Sequence, residues 1–297
     1  MNKKVTVGLC VKNGEKVVKI AFNSLSSQDY PHELLKIVIV DDGSTDNTFS
    51  IAQKFAKETD IQTIVIASNG RGLGASRQLV VDNAGDSDYV LFEDDDLVLA
   101  DNFISSQVKF MDNNPKVGAT EGITLSVLKG TLLGRFVGAR YIRNSSNLTI
   151  IGTGGAIFRS EALKSIGGFD VHIKGAMEDV DISRRLIKSG WTLAANRSAR
   201  LHAKYPLSTL TALWRKNRWY GYGNHFQFHK YHDNSLIVIY FPPLVLWGAF
   251  KTSYMACRFT NRKSDFFFAV LYSFGMMANY AGFIRAHFDN YGHVNVS

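Results

Sequence analysis

The chain has 297 residues, 45% apolar and 20% charged, so it can bury a core in one large domain, or in a domain of roughly 200 residues with an appendage. This composition excludes a disordered chain. The 34 Lys and Arg residues against 26 Asp and Glu give a net charge of +8, which suits an anionic ligand or an anionic membrane surface. Cys10 and Cys257 lie far apart and form no C-x-x-C motif, so no disulfide or zinc framework is indicated and a reducing cytoplasm is favoured. Met1 to Lys4 lead into a strand-like run without a signal peptide, which predicts that the catalytic part begins in the cytosol.

The first third of the chain alternates short β-rich runs with amphipathic segments. The runs predict strands at Val5 to Val11, Ile37 to Val40, Thr63 to Ala67 and Tyr89 to Phe92. Helices are predicted between them at about Glu15 to Ser26, Thr45 to Thr59 and Gly74 to Asn83. Strands that alternate with helices of this length form parallel βαβ units, whose ligands bind at the C-terminal ends of the strands. The sequence therefore predicts an α/β fold with a mostly parallel, Rossmann-like sheet.

Four consecutive acids, Glu93 to Asp96, follow the fourth predicted strand without a break. Neighbouring carboxylates repel one another unless a positive charge lies between them. Hard cations such as Mg²⁺ and Mn²⁺ take oxygen ligands and bridge to substrate phosphates. The acids therefore predict a divalent metal and nucleotide phosphate chemistry, and the alternative is a solvated acidic turn after an edge strand.

Two further polar turns follow the second and third predicted strands. Asp41 and Asp42 can accept hydrogen bonds from a base N–H or a ribose hydroxyl, or can serve in an N-cap and Asx turn. Arg71 and Arg77 follow the Gly-rich turn after the third strand, and they are candidates for binding a diphosphate or are surface cations.

The middle of the chain begins with a predicted helix from Asp101 to Asn113. The stretch from Val117 to Ile151 is rich in Gly, Ser and Arg and predicts the mixed strands and loops of an active-site rim. After it come, in order, a turn entering a strand at Gly152 to Phe158, a short helix at Ser160 to Ile166 and a turn at Gly167 to Gly168.

A further helix is predicted to open with Glu178 and Asp179, where the helix dipole favours negative charge. Stabilisation of the helix through its dipole is therefore the alternative to a catalytic role for the two acids. The apolar side of this helix is predicted to consist of Ile182, Leu186 and Ile187, and Gly190 ends it.

Two uncharged runs lie near the C-terminus, 17 residues over 234–250 and 19 residues over 266–284. Both are marginal against the roughly 20 residues needed to cross a bilayer. Pro242 and Pro243 interrupt the first run, and a hairpin would put the basic connector with Arg258, Arg262 and Lys263 outside, against the positive-inside tendency. We expect short helices that lie in or dip into the cytoplasmic leaflet. A buried pair of core helices is the alternative.

The ordered set of motifs resembles the family 2 glycosyltransferases, inverting enzymes of the GT-A fold, over about residues 5–222. The segments that carry the resemblance are Val40 to Asp46, Asn69 to Arg77, Asp94 to Asp96, Gly167 to Asp170 and Glu178 to Asp181. The resemblance implies a GT-A catalytic domain over residues 1–232, and the uncharged runs place a hydrophobic, membrane-associated helical region over 233–297.

The resemblance also assigns roles. Asp179 resembles the general base, with Glu178 or Asp181 next in line, and Asp94 and Asp96 form the D-x-D pair. Asp96 is expected on Mn²⁺ or Mg²⁺, and Asp94 towards the ribose or a metal-bound water. His202 stands where some GT-A enzymes supply a third metal ligand, or is a structural histidine.

One motif departs from the family pattern. Arg215 to Trp219 resembles the Q-x-x-R-W element with Arg215 in place of Gln. Arg218 and Trp219, together with Glu178, are the candidates for phosphate or acceptor contacts.

The predicted activity is metal-dependent, inverting transfer of a sugar from a nucleotide-diphosphate sugar to a lipid-linked or cell-surface glycan, on the cytoplasmic side of the cell membrane and without a nucleic-acid partner. A non-catalytic nucleotide-sugar-binding or scaffold subunit is the alternative, against which the intact Asp94, Asp96 and Asp179 argue. The glycines of the Gly70 to Gly74 turn lack the G-x-G-x-x-G spacing and follow the third strand, which disfavours a dinucleotide oxidoreductase, and no Walker A sequence occurs. A sugar nucleotidyltransferase is disfavoured because Lys12 to Gly14 is not a phosphate loop.

Overall fold

The computed structural model describes residues 3–125, 132–139, 148–203, 209–232 and 242–292. The chain divides into two compact units. The sheet unit consists of residues 1–125, 144–174 and 178–204, and the helical unit of residues 126–143, 175–177 and 205–297. The sequence predicted a different domain boundary, between residues 232 and 233. The two divisions differ because the helix Leu210–Tyr231 groups with the C-terminal helices.

An eight-stranded sheet forms the centre of the sheet unit. Its strands are β1 Val5–Val11, β2 Leu35–Asp41, β3 Gln62–Ala67, β4 Tyr89–Glu93, β5 Leu97–Leu99, β6 Val117–Thr124, β7 Ala156–Arg159 and β8 Thr192–Ala203. The spatial order is β3-β2-β1-β4-β7-β6-β8-β5. The pairs β1/β2, β2/β3, β1/β4 and β6/β8 are parallel, and β4/β7, β6/β7 and β5/β8 are antiparallel. The predicted α/β class with parallel βαβ units is confirmed, and β7 makes the sheet mixed.

Six helices of the sheet unit are described: α1 Val18–Ser26, α2 Thr48–Glu58, α3 Leu73–Asp82, α4 Phe103–Asn113, α6 Ser160–Ser165 and α7 Glu178–Lys188. Those of the helical unit are α5 Leu132–Ala139, α8 Leu210–Tyr231, α9 Pro242–Thr260 and α10 Phe268–Phe288, with a short 3₁₀ turn at Lys263–Phe267. The helices predicted from periodicity are present, although α1 begins at Val18 rather than Glu15.

Two apolar cores lie on the two faces of the sheet. The first, beside α1 and α4, receives Ile37 and Ile39 of β2, whereas the second, beside α3 and α7, receives Val38 and Val40. Because side chains of a strand alternate between faces, a strand buried on both reads as a continuous apolar run. In α7, Ile182 and Leu186 are fully buried, but Ile187 is 43% exposed, so its predicted place on the apolar side is wrong.

Two strands, β5 and β8, were not predicted, and β6 was predicted only as part of a stretch of mixed strands and loops. β5 has only three residues, and β6 lies in the stretch that gave no clear pattern. β8 pairs with β6 through register shifts that interrupt its alternation. The rest of the predicted active-site rim includes α5, while residues 126–131 and 140–147 lie outside the described part.

The helical unit is held together by close packing of α8 on α10. A side chain at Gly221 would clash with the carbonyl oxygen of Asn279, and one at Gly282 would clash with that of Arg218. Beside this contact Leu213 packs in an apolar cluster with Phe136 and Phe268. The helix backbones can therefore approach closely only where glycine stands at the crossing.

One stretch of the described chain, Lys263–Phe288, is long and apolar enough to cross a membrane, judged by length and composition, and a third of its most apolar window (33%) is buried. It contains the second of the two uncharged runs. Of the first run, α9 covers the part from Pro242 onward, and residues 234–241 lie outside the described part.

Candidate functional site

Polar residues meet at one edge of the parallel half of the sheet. β1 lies between β2 and β4, with Val11 opposite Asp41 and Leu9 opposite Glu93. The turns that follow β2 and β4 therefore leave the sheet at the same edge, where ligands of parallel α/β sheets bind. This topology brings the two predicted acidic turns together.

Asp41, at the end of β2, is 3% exposed. Its Oδ1 accepts hydrogen bonds from the backbone N–H groups of Gly43 (3.0 Å) and Ser44 (2.9 Å), which is the Asx-turn role. Its Oδ2 is buried without a hydrogen-bond partner among the described residues. A buried acceptor of this kind is costly unless a donor arrives, so one oxygen of Asp41 serves the turn and the other remains able to accept a hydrogen bond.

Asp42 ties the two turns to each other. Its Oδ1 accepts hydrogen bonds from the Ser68 hydroxyl and from the backbone N–H of Gly72 (3.0 Å). Its Oδ2 lies 3.7 Å from the Lys12 ammonium nitrogen. The Ser76 hydroxyl also donates to Oδ1 (3.4 Å), so four interactions engage this carboxylate and Asp42 fixes the Gly-rich turn in place.

The Gly-rich turn is anchored to the segment that precedes α7. Leu73 N donates to Lys174 O (3.2 Å), and Gly74 N donates to Ile173 O (2.8 Å). At Gly72, where φ is +96°, a Cβ would lie 2.5 Å from Lys174 Cα, so only glycine fits. Arg71 in this turn is exposed, and its Nε donates to Ser68 O (3.2 Å).

Arg77 points from α3 into the site and is 4% exposed, so the surface-cation alternative is wrong for this residue. Its Nη2 lies 3.3 Å from Asp94 Oδ1 and 3.4 Å from Glu178 Oε1. Its guanidinium carbon stands 5.4 Å from the centre of the Phe92 ring. One buried cation thus joins the D-x-D turn to the start of α7.

The D-x-D turn concentrates negative charge. Burial, reinforced by the charges of Asp96 and Asp94, raises the pKa of Asp95 to about 7. A side chain at Gly154 would clash with Asp94, so the turn before β7 lies directly against this aspartate. Burial is the larger cause of this raised pKa, and a cation in the turn would offset the second cause, the repulsion by Asp96 and Asp94.

Glu93, the first of the four acids, belongs to the core. It is 2% exposed, its Oε1 accepts a hydrogen bond from the Ser24 hydroxyl of α1 (3.0 Å), and burial raises its pKa well above the ordinary glutamate value. Tyr89 and Leu91 face the same core. Glu93 therefore points away from the D-x-D pair. The alternation of side chains along β4 could have predicted this orientation from the sequence.

In the described residues, no three His, Cys, Asp or Glu side chains form a ready metal-binding group. His202 is exposed on β8 and pairs in register with Val98, two positions beyond Asp96. Asp94 and Asp96 supply the carboxylate oxygens that Mg²⁺ and Mn²⁺ prefer. In donor chemistry the D-x-D turn fits a hard divalent cation.

Three acids occupy the first turn of α7, and they differ in environment. Glu178 is 4% exposed and accepts a hydrogen bond from the Thr153 hydroxyl (3.0 Å), a partner that the sequence did not reveal. Burial raises the pKa of Glu178 above the ordinary value, against the opposing charge of Arg77. Asp181 is fully buried, and Arg185 Nε donates to it (2.8 Å). Asp179 is the partly exposed acid of the three.

The remaining predicted residues, Arg218 and Trp219, lie on α8 in the helical unit. The indole of Trp219 stands against Gly175, where a Cβ would lie 2.9 Å from Trp219 Nε1, and its side chain leaves the residue 42% exposed. In the same unit Gln227 Nε2 donates to Met177 O (3.2 Å). α8 therefore holds the three residues 175–177, which directly precede Glu178 in the chain.

Comparison with solved structures supports this architecture. The mannosyltransferase PcManGT from Pyrobaculum calidifontis, solved with GDP-Man and Mn²⁺, aligns with a TM-score of 0.70 and 17% identity over 97% of this chain and 88% of that one. Staphylococcus aureus TarS aligns with a TM-score of 0.54 and 20% identity over 72% of this chain and 38% of that one. The predicted GT-A fold is confirmed.

Curated relatives cover part of the sequence. A poly-beta-1,6-N-acetyl-D-glucosamine synthase of Staphylococcus epidermidis is 27% identical over 228 residues, which are 73% of this chain and 53% of the relative. The poly(ribitol-phosphate) beta-N-acetylglucosaminyltransferase TarS of Staphylococcus aureus is 30% identical over 111 residues, 37% of this chain and 19% of the relative. The chain thus spans about half the length of the synthase that it matches.

Family models match most of the chain. The model described as glycosyl transferase family 2 matches residues 6–167, and the one described as glycosyl transferase family group 2 matches residues 89–284. Together with the order of the acidic turns along the sheet edge, these matches show that the chain belongs to glycosyl transferase family 2.

Proposed function

We propose that the chain is an inverting, metal-dependent glycosyltransferase that moves a sugar from a nucleotide-diphosphate donor to a glycan acceptor. The observation that carries the proposal is the cluster at the sheet edge, where Arg77 joins Asp94 of the D-x-D turn to Glu178 beside Asp179. An acid pair for the donor and a partly exposed acid for the acceptor are the two parts that such a transfer needs.

Asp179 is the proposed general base. The acceptor hydroxyl oxygen forms a bond to the anomeric carbon while the bond from that carbon to the diphosphate oxygen breaks, and the hydroxyl proton passes to the carboxylate. Glu178 is buried in contact with Arg77, and Asp181 is held by Arg185. In the first turn of α7 Asp179 is the acid that is partly exposed, so an acceptor hydroxyl can reach this carboxylate more easily than the other two.

Asp94 and Asp96 are the proposed holders of Mn²⁺ or Mg²⁺, with His202 as the third candidate ligand. When bound, such an ion stabilises the negative charge of the departing nucleoside diphosphate. The support is the oxygen-rich turn and the raised pKa of Asp95 within it.

Asp41 is the proposed nucleotide contact, because its buried Oδ2 lacks a donor among the described residues. Asp42 and the exposed Arg71 belong to the same proposed donor site. UDP-GlcNAc is the first donor to test, since a TarS structure contains UDP-GlcNAc, and GDP-mannose is the second, since the PcManGT structure contains GDP-Man.

The acceptor is proposed to be a lipid-linked or cell-surface glycan reached from the cytoplasmic face of the membrane, with Arg218 and Trp219 as acceptor or phosphate contacts. The support is the helical unit, whose large apolar side chains are widely exposed. They include Leu246, Trp247, Phe250, Tyr254, Met255, Phe266, Phe267, Val270, Met277 and Phe288.

The test uses the purified full chain with Mn²⁺ and a panel of UDP-, GDP- and dTDP-sugars. Calorimetry measures donor binding, and release of the nucleoside diphosphate measures turnover. We expect Asp96→Ala to lose metal-dependent donor binding and Asp179→Asn to bind donor but not transfer. Asp86→Asn, at an exposed acid paired with Lys4, is the matched control and should behave as wild type.

A wild-type chain that binds and hydrolyses none of these donors would refute the proposal. Equal glycan output from wild type and Asp179→Asn, with donor affinity preserved in both, would instead support the non-catalytic scaffold.

A further inference from the structure

We propose that Arg77 is a positioning residue, which sets the distance between the D-x-D turn and the helix that carries the base, and that it does not bind the diphosphate. The inference rests on the proposed function. It assigns to Arg77 a different role from the diphosphate contact that the sequence suggests.

A single nitrogen of Arg77 serves both carboxylates. Nη2 lies 3.3 Å from Asp94 Oδ1 and 3.4 Å from Glu178 Oε1. The Arg77 and Glu178 side chains are each 5% exposed and form a buried pair, whereas the Asp94 side chain is 46% exposed. Solvent screens a buried ion pair far less than a surface pair. The two acidic segments are consequently tied to the same buried charge.

The guanidinium of Arg77 also packs on an aromatic ring. It lies 5.4 Å over Phe92, which is 1% exposed and makes edge contacts with Phe158 (5.7 Å) and Phe169 (5.1 Å). Its Nε and Nη1 are buried and have no hydrogen-bond partner among the described residues, so both carboxylates contact the guanidinium through Nη2. Arg71, which is exposed in the Gly-rich turn, is the arginine with access to a phosphate.

Both carboxylates also contact one turn, and at Glu178 the oxygen involved is the same Oε1 that faces Arg77. Thr153 donates to Glu178 (3.0 Å), and the neighbouring Gly154 lies against Asp94 without space for a side chain. Arg77 thus closes a ring of contacts through Asp94, the Thr153 turn and Glu178. Since displacement of a catalytic group by about 1 Å can cost on the order of 10²-fold in rate, loosening this ring should affect turnover more than binding.

The experiment compares Arg77→Lys and Arg77→Met with Arg71→Met as the matched control. At saturating Mn²⁺ it measures the affinities of UDP and uridine, whose ratio reports the diphosphate contact, and kcat and KM for transfer. A lysine keeps the charge but lacks the planar fork. We expect both Arg77 variants to lower kcat on the order of 10²-fold, with the UDP-to-uridine ratio unchanged, and Arg71→Met to lower that ratio with a smaller loss of kcat.

Two outcomes would overturn the proposal: a UDP-to-uridine ratio that falls in the Arg77 variants as it does in Arg71→Met, or a kcat that stays at the wild-type value. If Arg77→Met does not fold, Arg77→Lys and Glu178→Gln still complete the test through their double variant. If Arg77 and Glu178 act through their contact with each other, the kcat of the double variant should be no lower than that of the more impaired single variant. Additive losses of kcat would contradict the proposal. A wild-type chain that neither binds UDP nor transfers sugar would refute the proposed function itself.

Discussion

The two units of the chain differ in how far their large apolar side chains are exposed. In the sheet unit Phe92, Phe103 and Phe158 are at most 1% exposed, whereas in the helical unit Trp247 is 63% and Phe267 60% exposed. Soluble surfaces rarely carry many such residues together unless they contact a partner or a membrane. The sheet unit is a closed core with a site at its edge, and the helical unit presents an apolar surface.

One side of α9 combines aromatic rings with basic side chains. Trp247, Lys251, Tyr254 and Arg258 follow one another at spacings of three and four residues and so share one side of the helix. Lys251 Nζ lies 5.0 Å from the Trp247 ring, and Arg258 Cζ lies 5.9 Å from the Tyr254 ring. Rings beside cations suit the headgroup region of a membrane, which favours an interfacial helix over the alternative of a buried helix pair.

The largest expected effect tests whether the chemistry belongs to the sheet unit. Asp179→Asn removes the proposed base, so turnover should fall about 10²- to 10⁴-fold. Trp247→Ser, on the exposed side of α9, should leave turnover on a soluble acceptor within about twofold of wild type. Steady-state kinetics with UDP-GlcNAc and a soluble glycan compares the two. A larger loss in Trp247→Ser than in Asp179→Asn would place the chemistry elsewhere.

The next prediction compares the units by stability. Phe103→Ala empties a fully buried position in the sheet unit and should lower the free energy of unfolding by about 3–5 kcal/mol. Phe267→Ala, at a position 60% exposed, should change it by less than about 0.5 kcal/mol in the absence of lipid. Urea denaturation measures both values. Equal losses would mean that the apolar surface of the helical unit is covered in solution.

The sequence predicted the sheet unit better than the helical unit for a physical reason. β1, β2 and β4 are buried on both faces, so each reads as an apolar run, and clearly polar turns follow β2 and β4. β3, at the edge of the sheet, is only partly buried. β5 is too short to show alternation, and the register shifts between β6 and β8 break it. In the helical unit apolar residues face outward as well as inward, so hydrophobicity alone does not separate core from surface.

Within the site, residue type and order were predictable, but burial was not. The acids after β2 and β4 and at the start of α7 follow from the motifs. The burial of Arg77 depends on its packing over Phe92 and on its contacts with two carboxylates that are distant in sequence. No local sequence pattern predicts these contacts. The orientation of Glu93, in contrast, follows from alternation along β4.

A third prediction addresses the helical unit directly. Trp247→Ser combined with Tyr254→Ser should weaken binding to vesicles that contain anionic phospholipid, by about tenfold, because two interfacial rings are lost. Co-sedimentation at moderate salt measures the bound fraction. The matched control is Trp191→Ser, at a half-buried tryptophan of the sheet unit, which should bind vesicles as wild type does. Absence of the wild-type chain from the vesicle pellet would contradict the membrane assignment.

The smallest expected effect concerns the D-x-D turn, the part of the closed unit where charge is crowded. Asp95 has a folded-state pKa of about 7 against an ordinary value of 3.8, so the folded chain holds this proton more tightly than the unfolded chain. Its contribution to stability is present below about pH 4 and is lost as the pH rises through about 7. Asp95→Asn lacks that loss, so in EDTA the stability advantage of this variant over wild type should grow by roughly 1 kcal/mol between pH 6 and pH 8. Thermal and urea unfolding across this range measures the difference. Glu58→Gln, at an exposed acid of α2 paired with Lys54, is the control, and its difference from wild type should show no such growth. A difference between Asp95→Asn and wild type that stays constant with pH would mean that the turn is not crowded, and would remove one support for a cation there.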